Sequence, residues 1–134
     1  MTALTKAQEK LKKFDLATSR LAEALDYPES DHDLFIDATI QRFEFSYEMA
    51  WKTLKDVLAL EGIQIASPKE AFRQAFVLGW ISDESEWLNI IDDRNMTTHT
   101  YDEPLAREIY QRIESKHADA LKKLCQLLAT KMDS

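Results

Sequence analysis

An all-α fold, an up-and-down bundle of four or five helices, is the class this sequence predicts. Apolar residues recur at three- and four-residue spacing through most of the chain, the mark of helices with one buried stripe. Only two of 134 residues are glycine, too few for the tight turns of a hairpin-rich sheet. Capping side chains stand before the periodic runs, and the two glycines stand after two of them. The length bounds residues 1–134 to one domain, and 45% apolar content is too high for a disordered chain.

The elements follow in order. Leu4, Ala7, Leu11, Phe14, Ala17, Leu21, Ala24 and Leu25 define a first amphipathic helix that ends near Tyr27-Pro28. Ser30 to Asp33 is a polar break in which Asp31 or Asp33 can cap the next helix. That second helix runs to Glu61, with Gly62 as its stop and a length of about 40 Å. Ser67-Pro68-Lys69-Glu70 is a capping box with proline at the first helical position, opening a short helix that ends at Leu78-Gly79. A fourth begins near Ser82-Asp83, carries Trp87, Leu88, Ile90 and Ile91, and frays around Thr97-Thr98. Asp102-Glu103-Pro104 starts the last helix, whose apolar face is Leu105, Ile109, Ile113, Ala120, Leu121, Leu124, Leu127 and Leu128. Ile63 to Ala66 is too short for a sheet of its own.

Composition removes several classes of function. Gly62 and Gly79 cannot form a dinucleotide-binding GxGxxG or a P-loop. A single Cys125 excludes an internal disulfide and any multi-cysteine zinc site, and suits a reducing compartment. No apolar run reaches the ~18 residues of a membrane span, and residues 1–13 lack a signal-peptide core, so a cytoplasmic protein without membrane contact is expected. The formal charge of −7 counts against broad polyanion binding, which needs a basic patch. The same acidity makes a basic protein partner the more natural main contact.

Of the three histidines, His32 in the polar break and His117 in the last helix read as surface residues. His99 differs because of its neighbours. Asp93-Arg94-Asn95-Met96-Thr97-Thr98-His99-Thr100-Tyr101-Asp102 gathers a guanidinium, an amide, an imidazole and a phenol where one helix stops and another has not begun. On an ideal helix Arg94 and His99 diverge by about 140°. Past a helix end near Thr97 that constraint lapses, and an extended stretch sends His99 and Tyr101 to one side. Arginine supplies a forked donor matched to phosphate, and histidine exchanges a proton near neutral pH. Together they suffice for metal-independent RNA cleavage, with His99 deprotonating a 2′-hydroxyl and Arg94 stabilising charge on the phosphate. A structural reading stands beside this one: Arg94 pairs with Asp92, Asp93, Glu44 or Glu48, while His99 and Tyr101 pack a helix connection.

In the long helix, Phe43, Tyr47 and Trp51 form a stripe at four-residue spacing, expected in the core. Glu44 and Glu48 are like charges four apart, unfavourable by a few tenths of a kcal/mol unless a cation intervenes. Lys52 relieves Glu48, and Arg94 can relieve Glu44 if its helix packs alongside. No Glu-x-x-His motif accompanies them, so no metal site is read from the pair.

Four segments carry a family resemblance: Arg42 to Lys52, Ala71 to Ala75, Leu78-Gly79-Trp80-Ile81, and Arg94 to Glu103 with its R-x4-H-x-Y pattern. Together they resemble the nucleotidyltransferase substrate-binding protein family of the HEPN superfamily, close to the HepT-like toxins. The resemblance implies a HEPN-like helical bundle that forms a homodimer and a complex with a minimal nucleotidyltransferase acting as antitoxin. It implies a ribonuclease site shared across the dimer, with Arg94 and His99 catalytic and Asn95 the supporting polar residue. It also implies neutralisation by AMP transfer to Tyr101, and no cofactor. The other reading of the same family is a non-catalytic subunit that presents substrate to the nucleotidyltransferase.

Overall fold

The computed structural model describes residues 2–27, 34–99 and 101–133, and among these there is no strand. Helix α1 (Ala3–Asp26) opens on Thr2, whose hydroxyl accepts from the Thr5 N–H at 3.0 Å. The polar break with Asp31, His32 and Asp33 lies outside the described residues. Helix α2 (Leu34–Leu60) has 27 residues, which at about 1.5 Å each gives the expected 40 Å span. It closes as the sequence predicts: Gly62 takes φ +79°, and the Ile63 N–H bonds back to the Leu58 carbonyl at 2.9 Å.

Helix α3 (Pro68–Val77) starts on its capping box. Ser67 Oγ accepts from the Glu70 N–H at 3.2 Å, and the Glu70 carboxylate accepts in return from the Ala66 N–H at 2.9 Å. Helix α4 (Glu84–Met96) is capped by Asp83 and ends in a 3-10 turn, Thr97–His99. Helix α5 (Glu103–Arg112) is capped by Asp102, a π turn follows at Ile113–His117, and α6 (Ala118–Met132) is the last described helix.

The π turn modifies the single regular last helix that the sequence predicts. Helical backbone does continue from α5 to α6, but the Ala118 N–H bonds to the Ile113 carbonyl, five residues back. The cause lies in the spacing of the buried positions. Ile109, Ile113, His117 and Leu121 are all buried and step by four. On a regular helix each such step drifts by about 40°. The wider π turn absorbs that drift and keeps all four residues facing inward.

Helix α1 lies along α2, α6 packs against both, α5 rests on α2, and α3 bridges α2 to α4. The core so enclosed centres on Phe14, Phe43, Leu54, Leu58, Ile90, Ile109, Leu121 and Leu128, all but excluded from solvent. Phe43 and Tyr47 of the aromatic stripe are buried, whereas Trp51 is only partly so and carries Lys55 over its ring at 6.0 Å. The same drift per four-residue step turns Trp51 toward the rim.

Leu54 is fully buried in this core. Leu54→Ala is expected to destabilise the protein by roughly 2–5 kcal/mol, read from the midpoint shift in urea unfolding at unchanged slope.

Candidate active site

The last turn of α4 places two consecutive side chains on different neighbours. Asp93 is buried and faces α5 and the π turn, where Arg112 grips its carboxylate with Nε and Nη2, both at 2.8 Å. His117 Nε2 adds a third bond at 2.7 Å. Burial by itself would raise the Asp93 carboxyl, but the hydrogen bonds from His117 and Arg112 outweigh it and hold the group below its ordinary value. His117 is 1% exposed and its ring stacks on Phe43 at 5.7 Å, which corrects its reading as a surface histidine. The π turn carries it inward, and the bond to Asp93 makes its polar ring tolerable in the core.

Arg94, one residue on, turns to α2. Its Nη1 lies 3.4 Å from Glu44 Oε2 and donates to Thr97 Oγ1 at 3.1 Å. Thr97 is buried, and its hydroxyl lies 3.1 Å from the same Glu44 oxygen and 2.7 Å from the Arg94 carbonyl. Arg94 Nε is buried and has no partner among the described residues. Glu48 pairs with Lys52 at 3.3 Å, so each carboxylate of the Glu44–Glu48 pair has a cation beside it. Tyr47 lies within reach of the same charges. Burial pushes its phenol up to about 12, Arg94 acts in the opposite direction, and Glu48 adds to the rise.

His99 ends the 3-10 turn, and its carbonyl accepts from the Asp102 N–H at 3.1 Å. That bend brings the Tyr101 hydroxyl to 3.3 Å from His99 Nδ1, with the two rings edge to face at 5.9 Å. Tyr101 is 83% exposed, and His99 and Asn95 are exposed as well. The structure therefore pairs His99 with Tyr101 and Arg94 with Glu44, and Thr97 stands between the two pairs. No hydrogen bond or ion pair joins Arg94 to His99 among the described residues. Sequence reasoning took Thr97 only as the point where the helix frays. The available signal was its spacing, since a residue three beyond Arg94 on a helix lies beside it. Among the described residues no three His, Cys, Asp or Glu side chains converge as a metal ligand set.

The family model described as nucleotidyltransferase substrate binding protein like matches residues 9–130. The chain belongs to this family. It is similar to the Haemophilus influenzae protein named Probable ribonuclease HepT, with 36% identity over 92 residues. That match covers 65% of this chain and 63% of the relative's own length. A crystal structure from Thermus thermophilus superposes with a TM-score of 0.74 at 34% identity, covering 90% of this chain and 99% of the other. The Haemophilus influenzae protein HI0074 superposes with a TM-score of 0.67 at 28% identity, covering 94% and 98%. Its structure is described as revealing the fold of a substrate binding domain of a nucleotidyltransferase. No described helix is long and apolar enough to cross a membrane.

The Asp93 cluster makes an acid-stability prediction. Because its folded pKa is depressed, the stabilisation is present above the unfolded value of about 3.9 and disappears as pH falls through the folded one. Asp93→Asn is therefore expected to be less stable than wild type at neutral pH, with the gap closing as pH drops below about 4. Urea unfolding across that range measures it, and a gap that does not change with pH would remove the assignment to Asp93.

Proposed function

We propose that this protein is the cytoplasmic partner of a minimal nucleotidyltransferase and acts as a metal-independent ribonuclease toxin. In this reading a homodimer brings two copies of Arg94 and His99 to one RNA phosphate, and AMP transfer to Tyr101 silences the site. The observation that carries it is the exposed His99–Tyr101 pair, with Nδ1 and phenol oxygen 3.3 Å apart, at the end of the helix that holds Arg94. Similarity to Probable ribonuclease HepT and membership of a nucleotidyltransferase-associated family support the same reading.

The chemistry follows from the pair. With the His99 Nδ1–H donating to the Tyr101 oxygen, Nε2 carries the lone pair that takes the 2′-hydroxyl proton. The 2′-oxygen attacks the adjacent phosphorus, and the bond to the 5′-oxygen breaks. That leaving oxygen takes its proton from Nε2 of His99 of the partner subunit, which enters the step as the imidazolium and leaves it neutral. Arg94 donates to the phosphoryl oxygens as charge builds on them, and Asn95 serves as the supporting polar group. The products are a 2′,3′-cyclic phosphate and a 5′-hydroxyl. Neutralisation is a second transfer: the Tyr101 oxygen attacks the α-phosphorus of ATP and pyrophosphate departs. The phenolic proton goes to a base of the nucleotidyltransferase. The bound AMP then stands where RNA must approach His99.

Incubating RNA with the protein in chelator tests this. Wild type is expected to leave cyclic phosphate ends and His99→Ala to leave the RNA intact; equal cleavage by both would discard His99 as the base. Mass analysis after incubation with the cognate nucleotidyltransferase and ATP is expected to place one AMP on Tyr101 and none on Tyr101→Phe. Sedimentation is expected to give a dimer, and a monomer at micromolar concentration would refute the shared site.

A further inference from the structure

From the buried contacts of Thr97 we infer that it is a positioning residue, which with Glu44 holds the Arg94 guanidinium in place for phosphate contact; this rests on the ribonuclease reading. A threonine at a helix end commonly bonds back to the carbonyl three residues earlier, and Thr97 does so at 2.7 Å. That bond is local. The contacts to Glu44 are not, because Glu44 stands on α2, 53 residues away in sequence.

The atom inventory defines the arrangement. Arginine only donates, so Thr97 Oγ1 accepts from Arg94 Nη1 at 3.1 Å. The single hydroxyl proton is then shared between the Arg94 carbonyl and Glu44 Oε2, at 2.7 and 3.1 Å. Nη1 is thus held twice, by Thr97 Oγ1 at 3.1 Å and by Glu44 Oε2 at 3.4 Å. A guanidinium is planar, so fixing one end orients the whole fork. Nη2 has no partner among the described residues, and the side chain is 27% exposed, which leaves a donor edge for an anionic ligand. Thr97 is also the first residue of the turn that ends at His99. One buried hydroxyl therefore ties the orientation of Arg94 to the segment that presents the proposed base.

The test is single-turnover RNA cleavage in chelator by wild type, Thr97→Val, Thr97→Ser and Glu44→Gln, with thermal unfolding of each. Thr97→Val removes the hydroxyl at nearly constant shape. It is expected to lower the cleavage rate about 10- to 100-fold with little change in RNA affinity, the scale of a misplaced catalytic group. Thr97→Ser, which keeps the hydroxyl, is expected to restore most of that rate. Glu44→Gln keeps an acceptor for Thr97 but removes the charge beside Nη1, and it is expected to lose rate in the same sense. In an Arg94→Ala background Thr97→Val is expected to cost nothing further, since the two act through one group. Wild-type rates for Thr97→Val and Glu44→Gln, or an equal loss in the Arg94→Ala background, would overturn the inference and leave the ribonuclease reading intact. A wild type that does not cut RNA would refute that reading first, and this inference with it.

Discussion

The carboxylate of Asp93 is the constraint on which the candidate site depends. It lies in the interior at the end of α4 and receives three hydrogen bonds, two from Arg112 and one from His117. A buried carboxylate without partners is costly enough to disrupt packing; with well-placed donors it becomes a geometric lock. Here the lock joins α4 to the helix that runs from α5 through the π turn to α6. Arg94, the next residue, reaches the opposite way to Glu44 on α2. The last turn of α4 is thus held from two sides, and the exposed His99 and Tyr101 extend from an anchored base.

That arrangement also bears on the acidity around the site. Between Ile81 and Glu103 there are seven acidic residues and one base. Read as bare charge, the segment should repel any phosphate. In the structure Asp83 and Asp102 accept from backbone N–H groups at the starts of α4 and α5, and Asp93 is neutralised in the interior. Each sits where negative charge is stabilising, at a helix N-terminus or beside a guanidinium. These acids build the scaffold of the site. Among the described residues Glu44 is the carboxylate that pairs with Arg94, and it does so together with Thr97.

Much of this was legible beforehand because it is local. The capping box at Ser67, the aspartate caps at Asp83 and Asp102 and the glycine stops all depend on residues within a few positions of one another. Arg94, Asn95, His99 and Tyr101 could be picked out as a group for the same reason. The Asp93–Arg112–His117 cluster could not, since its members lie 19 and 24 residues apart on elements whose mutual rotation the sequence does not state. His117 was misplaced for a related cause. A polar ring on a helix looks solvent-facing until its phase is known, and here the phase is altered by a π turn.

By itself the sequence determined the helical class, most helix ends and the identity of the residues clustered between α4 and α5. Spacing of apolar side chains and local backbone hydrogen bonding suffice for those. Only the tertiary structure decided that, of the carboxylates open to it, Arg94 takes Glu44, with Thr97 bonded to both. It alone decided that His117 is buried against a carboxylate. Such choices depend on how helices rotate and pack against one another, and a difference of about 100° per residue along a helix decides whether a side chain meets solvent or a partner.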